Sequence, residues 1–287
     1  MISPLKRPAT AIETIMRLKA IIFDWAGTAV DFGSLCPVSA FQSAFSTAGV
    51  TVPAGDIHRF MGIRKWEHIQ AVLQLPEIAA KWETTQGRKP SKADVDALYQ
   101  KAEALLLDSV ADFATPTPGL QEALAAVRRR GLMVGSTTGY TAPLMAKLVP
   151  AAKAQGFDPD HWVASDQVPQ GRPWPWMIFK NMEHLEICPP SAVIKIGDTI
   201  ADIAEAINAG AWGVGVVESS SLTGKSQAEL AAMRGEQRDL LLEKTRRQLV
   251  EAGADFVIND LTELDEVLSQ IEQRLEQGQF PHELHAA

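Results

Sequence analysis

The chain has 287 residues, 46% hydrophobic and 22% charged, with a formal net charge of −8; it can bury a full core as one large domain or a main domain plus a smaller one. The acidic balance argues against nucleic acid or an anionic membrane as a partner, so binding an anion would require a local cation or metal ion. No stretch approaches the apolar length of a membrane span, and Cys36 and Cys188 alone cannot make a disulfide framework or zinc site, which together read as a reduced cytoplasmic protein.

Residues 1–17 lack the apolar core of a secretory signal and read as an N-terminal extension. The apolar, β-branched run Leu18–Phe23 predicts a first strand that delivers Asp24 to its carboxyl end. From Gly33 to Asp112 only helical patterns occur, with one stripe of Val38, Phe41, Phe45 and Ala48 and another of Val95, Leu98, Ala102 and Leu105. Ser91 before Asp94 resembles a capping box with Asp in place of Glu. Such a block after the first strand predicts a small α-helical cap domain over residues 33–112 that covers the active site as a lid.

Beyond it, apolar runs alternate with helical patterns, which predicts a mainly parallel sheet. Strands are expected at Leu132–Ser136, Trp162–Ala164, Ala192–Ile196, Gly213–Val217 and Phe256–Ile258, and helices at Leu120–Arg130, Ala201–Asn208 and Glu263–Glu276. Gly131 is placed to cap the first of these helices, whose last turn is basic. The polar stretch Ser219–Arg247 predicts a surface excursion, and Trp174 and Trp176 read as core and loop packing. The fold class is α/β, a Rossmann-like core of residues 18–32 and 113–287 interrupted by the helical cap.

A carboxylate at a strand end, such as Asp24, often does no more than cap the following turn. A second strand, however, ends in Gly197-Asp198-Thr199, with Asp202 on the next helical turn. Two strand-end acids converging on one sheet edge make a hard-oxygen site suited to Mg²⁺. The third strand ends in Thr137 and Thr138, hydroxyls able to donate to a phosphoryl oxygen, and Arg172 in a Pro-stiffened loop offers the counter-charge.

These segments, in this order, resemble the haloacid-dehalogenase superfamily, most of whose members transfer phosphoryl groups. The resemblance implies that Asp24 is the nucleophile, that Ala26 gives its backbone carbonyl to Mg²⁺, and that Asp198 completes the metal site with Asp202 in support. Two residues depart from the common pattern: Ala26 replaces the usual acid/base Asp, and Arg172 stands where Lys is typical. The blocks Asp24-Trp25-Ala26-Gly27-Thr28, Met61-Gly62-Ile63-Arg64-Lys65, Gly135–Thr141, Gly171–Met177 and Gly197-Asp198-Thr199 are together similar to one branch, the phosphonoacetaldehyde hydrolase (phosphonatase) family.

That branch implies cleavage of a carbon–phosphorus bond through a Schiff base on Lys65 and an aspartyl-phosphate on Asp24. The chemistry explains why the two marks occur together. A protonated imine accepts the electrons of the departing carbon, so no leaving oxygen needs an acid at position 26. An ordinary lysine is almost wholly protonated at neutral pH, so Lys65 requires a lowered pKa. Met61, Ile63, Trp66 and Ile69 offer an apolar wall, and Arg64 a like charge. His68 lies one helical turn on, where it either shuttles protons or is a structural histidine. Tyr140 and Met61 match positions near the reacting group, and packing roles suit them equally. The resemblance also implies a small-molecule phosphonate substrate and a homodimer, with the first insertion helix a candidate interface unless Phe41 and Phe45 are core. The alternatives are a Mg²⁺-dependent phosphatase of a small phosphate ester and a catalytically silent metabolite-binding relative.

Overall fold

The computed structural model describes residues 17–282, so the expected N-terminal extension lies, Arg17 apart, outside the described residues. Six strands form one sheet: β1 Ala20–Phe23, β2 Met133–Thr138, β3 His161–Ala164, β4 Val193–Gly197, β5 Trp212–Val216 and β6 Phe256–Ile258. They are ordered β3-β2-β1-β4-β5-β6, and every pairing is parallel. β1, β4 and β5 are buried at every position, and a strand covered on both faces reads as a continuous apolar run. Each strand lies within two residues of its expected bounds. β2 runs furthest beyond them, because Thr137 and Thr138 continue the ladder opposite Val163 and Ala164.

The order fixes where a site can form. The chain builds outward from β1 through β2 to β3, then returns to β1's other side as β4. The crevice beyond the carboxyl ends of β1 and β4 is therefore the topological switch point, where open α/β sheets bind ligands.

Between β1 and residue 112 the described residues form helices only: α1 Leu35–Thr47, α2 Ala54–His58, α3 Lys65–Leu73, α4 Pro76–Gln86 and α5 Lys92–Ser109, with a short 3₁₀ turn after α5. Phe41 and Phe45 are fully buried among these helices, so they are core and form no exposed dimer face. The α5 stripe buries Val95, Leu98 and Ala102 and then Leu106, while Leu105 is only partly covered. The backbone N–H and the hydroxyl of Ser91 donate to Asp94 at 2.8 and 2.6 Å, fixing the start of α5.

The remaining helices, α6 Leu120–Arg129, α7 Ala142–Ala154, α8 Trp176–His184, α9 Ile200–Ala209, α10 Gln227–Ala232, α11 Glu236–Glu251 and α12 Leu264–Glu276, follow or connect the strands. Gly131 takes φ of +70° just past α6, the left-handed residue its C-terminus requires. Among the described residues no helix is long and apolar enough to cross a membrane.

Two expectations fail here. Trp174 and Trp176 are 50% and 44% exposed, because the turn that buries Arg172 carries both rings outward. The stretch after β5 is not all surface: Ser219, Ser220 and Ser221 are buried before the chain emerges into α10 and α11.

Phe157 braces the strand end that carries Asp24. Its ring meets Phe23 at 6.0 Å and Trp25 at 4.8 Å, both edge-on. Phe157→Ala is expected to cost about 3–5 kcal/mol, read as a lowered urea midpoint at constant slope.

Candidate active site

The end of β1 is held by its neighbour: the Asp24 N–H donates to the Ile196 carbonyl at 2.9 Å, which sets Asp24 beside the end of β4. Gly27 then turns the chain with φ of +87°, and a Cβ there would lie 2.5 Å from Asp198 Oδ2. Only glycine permits both the turn and that approach. The Thr28 hydroxyl donates to Asp198 Oδ1 at 3.2 Å. Ser221 gives its N–H and its hydroxyl to Asp198 Oδ2 at 2.9 and 2.8 Å, and the Ser220 hydroxyl donates to the Asp198 carbonyl at 2.7 Å. After β4, Thr199 caps α9: its side chain accepts the Asp202 N–H, and its hydroxyl donates to Asp202 Oδ2 at 2.5 Å.

Arg172 joins these parts. Its guanidinium is buried and reaches three carboxylates, Asp24 at 2.6 Å, Asp202 at 3.1 Å and Glu205 at 2.9 Å. It also donates to the Thr137 carbonyl and hydroxyl, and to the Gly62 carbonyl of the helical insertion. Lys195, fully buried on β4, pairs with Asp202 at 2.8 Å and stands 3.8 Å from Glu205.

The charges are unequally satisfied. Burial alone would raise Asp202, but Arg172 and Lys195 outweigh it and hold the group below the usual carboxylate range. Burial pushes Asp24 up, with the Arg172 cation opposing and Asp202 adding to the shift. Asp198 is held well above its ordinary value by burial, then by repulsion from Asp24 and Asp202.

Above these acids lies Lys65, the first residue of α3. It is 7% exposed, and its Nζ sits 5.0 Å from the centroid of the Tyr140 ring. Burial lowers its pKa to about 8 against the attraction of Asp24, with the Arg172 cation assisting. The start of a helix is also an unfavourable place for a cation. A cavity of about 20 Å³ is shared by Asp24, Ala26, Met61, Lys65, Tyr140 and Arg172, with Ser34, Thr138 and Thr199 also on its wall.

Comparison with known proteins gives the family. A model of haloacid dehalogenase-like hydrolases matches residues 18–210. The phosphonoacetaldehyde hydrolase of Nitratidesulfovibrio vulgaris is 42% identical over 265 residues, 92% of this chain and 95% of its own. That of Bacillus cytotoxicus is 39% identical over 90% of this chain and 98% of its own. A phosphonoacetaldehyde hydrolase-like protein from Oleispira antarctica superposes with a TM-score of 0.89 at 34% identity, covering 92% of this chain and 96% of that one. The chain belongs to the phosphonoacetaldehyde hydrolase family of haloacid dehalogenase-like hydrolases.

Within that family frame, the structure brings Asp24, Ala26, Met61, Lys65, Thr138, Tyr140 and Arg172 onto one cavity, with Asp198 and Asp202 beneath it. Thr137 faces away from the cavity. Its hydroxyl donates to Glu205 at 3.1 Å and accepts from Arg172, because Glu205 is the stronger acceptor beside it. His68 does not line the cavity either; its Nε2 meets the Ile57 carbonyl at 2.7 Å and its ring packs edge-on against Phe41. Burial holds His68 well below its usual range, so it is neutral. Arg64 does not supply the like charge expected beside Lys65, since its guanidinium points to the carbonyls of Ser165, Val168 and Pro169.

Lys195, Glu205 and the serines 219–221 bond to the site's acids and turns, and sequence reasoning misses them. A lysine inside an apolar central strand is a usable signal, because a buried ammonium demands a buried acid. The serines give none.

The donor set suits a hard divalent cation. Oxygens of Asp24, Asp198 and Asp202 lie within 4.8 Å of one another. Asp24 and Asp202 each pair with a buried cation, whereas Asp198 makes no ion pair among the described residues and takes the repulsion of the other two.

Lys65 carries a stability cost with a definite sign. With its pKa lowered from 10.5 to about 8, the penalty is complete below pH 8, at about 3 kcal/mol, and fades as pH rises from 8 to 10.5. Lys65→Met should therefore stabilise the fold at pH 7 by up to that amount and not at pH 10.5, as read from paired urea titrations.

Proposed function

We propose that this chain hydrolyses phosphonoacetaldehyde to acetaldehyde and phosphate, with Lys65 and Asp24 as its covalent residues. The observation that carries the reading is a buried lysine with its pKa near 8, sharing a cavity with a strand-end aspartate that has no acid two residues on.

The neutral Lys65 amine adds to the aldehyde carbon, and the carbinolamine takes up one proton from solvent and loses water to leave a protonated imine. An Asp24 carboxylate oxygen then attacks phosphorus. The carbon–phosphorus electron pair moves into the imine to give a neutral enamine, and the phosphoryl group remains on Asp24. Water hydrolyses the aspartyl-phosphate. The enamine takes a proton on carbon, and a second water releases acetaldehyde and returns the Lys65 amine. Arg172, bonded to Asp24 Oδ1, orients the nucleophile and supplies positive charge beside the incoming phosphonate. Tyr140, its phenol held well above pH 10 by burial, stays protonated against the Lys65 amine.

Mg²⁺ is the proposed cation, held by Asp24, the Ala26 carbonyl and Asp198, where it would act as a Lewis acid and offset repulsion between carboxylate and phosphonate. Asp202 would support that site, its charge already taken up by Arg172 and Lys195. Of the two β2 threonines, Thr138 is the one on the cavity wall, where its hydroxyl would meet a phosphoryl oxygen. His68 would relay protons only through its second ring nitrogen, Nδ1, which has no hydrogen-bond partner among the described residues.

A cavity of about 20 Å³ holds little more than a water molecule, so residues 33–112 must lift as a cap to admit substrate and close to exclude water. A cytoplasmic setting suits the free thiols of Cys36 and Cys188. A homodimer is part of the same proposal, and light scattering on the eluting protein should give twice the chain mass.

The direct test is release of phosphate and acetaldehyde from phosphonoacetaldehyde with Mg²⁺, for wild type beside Lys65→Arg. Stoichiometric release that vanishes in the variant, with borohydride-dependent labelling of Lys65 in wild type, is the expected result. Turnover should rise with pH through about 8 as the amine loses its proton. No release from wild type, or equal release from both, would overturn this reading in favour of an ester phosphatase. Ligand binding without turnover would indicate the silent relative.

A further inference from the structure

Arg64, next to Lys65 in sequence, is half-buried and turned away from the cavity. Among the described residues its guanidinium donates only to backbone carbonyls of the loop after β3. Nε and Nη2 reach the Ser165 carbonyl at 3.0 and 2.5 Å, Nη2 reaches Val168 at 2.6 Å, and Nη1 reaches Pro169 at 3.1 Å. The loop is cut to receive it, since a Cβ on Gly171 would lie 2.9 Å from the Arg64 Cγ. One residue earlier, Ile63 rests on Gly139, where a Cβ would lie 2.6 Å from the Ile63 carbonyl oxygen. The grip is returned from the core, whose Arg172 donates to the Gly62 carbonyl at 3.3 Å.

We propose that Arg64 is a positioning residue, a latch that clamps the Gly62–Lys65 segment of the cap to the loop after β3 and so sets Lys65 over Asp24. Every one of its bonds joins the helical insertion to the core, so all of them break together when the cap lifts. Nothing else about Arg64 needs that geometry: its charge meets no carboxylate among the described residues, and carbonyls at three successive points of one loop match the fork of a guanidinium better than a single ammonium. The latch is separate from the chemistry, because its partners are main-chain atoms and none lies on the cavity wall. It takes from the preceding reading only that residues 33–112 move as a cap, and holds for any substrate.

The test is the rate at which Lys65 is acetylated by a small acylating reagent, followed by peptide mass spectrometry without substrate. Lys81 and Lys92, both exposed, serve as internal standards. Because one charged hydrogen bond alters an equilibrium by about tenfold or more, Arg64→Met should raise Lys65 labelling at least about tenfold while the standards are unchanged. Arg64→Lys should fall between the two. Gly171→Ala, which crowds the Arg64 stem from the core side, should also raise Lys65 labelling, and it decides the matter should Arg64→Met fail to fold. Lys65 labelling at the wild-type rate in Arg64→Met, or a parallel rise at all lysines in the folded variants, would overturn the latch. Failure of the carbon–phosphorus cleavage assay leaves this readout untouched, so the two proposals fail separately.

Discussion

One buried guanidinium holds the site in register. Among the described residues, Arg172 is the single group that touches the Asp24 strand end, the α9 acids, the end of β2 and the helical insertion at once. A cation in that position could not survive without its acids, and its acids could not survive without it. Removing either partner of a buried pair strands the other, which costs more than the pair contributes when intact. The network therefore offers little net stability and a large penalty for disassembly. That suits a catalytic framework better than a structural one, because the penalty enforces one geometry.

Lys65 shows the same logic with the opposite outcome. Arg172 is surrounded by acids and stays charged, while Lys65 sits against Tyr140 and the cavity wall with burial dominating. Two cations share one cavity, yet one is fixed as a charge and the other is poised to lose its proton. Guanidinium could not be made neutral at this pH and ammonium could, which is why the residue types are not interchangeable. The stability Lys65 gives up at neutral pH is the thermodynamic counterpart of its lowered pKa.

The sheet and its active edge are legible in the sequence because both follow from short-range rules. Strands covered on both faces read as unbroken apolar runs, and acids directly after them, Asp24 and Asp198, fall on the same edge of any parallel sheet. The direction of long side chains is not legible. Arg64 reads as a charge beside Lys65 and points elsewhere, Thr137 reads as facing ligand and turns to Glu205, and Trp174 and Trp176 face solvent. Each outcome is decided by a partner distant in sequence, and local pattern carries no information about such partners. Lys195 differs, since an ammonium within an apolar strand implies a buried acid even though the strand does not say which one.

The bond from the Asp24 N–H to the Ile196 carbonyl has a consequence for synthesis. Asp24 leaves the ribosome early, whereas β4, Asp198 and the serines that bind it are made much later. The parallel ladder between β1 and β4 spans the whole helical insertion and two further strands, so its closure is a non-local event of the kind that slows folding. A nascent chain stopped before Ser221 would carry Asp24, Lys65 and the insertion, yet lack the loop that seats Asp198. Activity in this protein is thus a late acquisition of the polypeptide, and its appearance during translation would time the docking of the second half of the sheet onto the first.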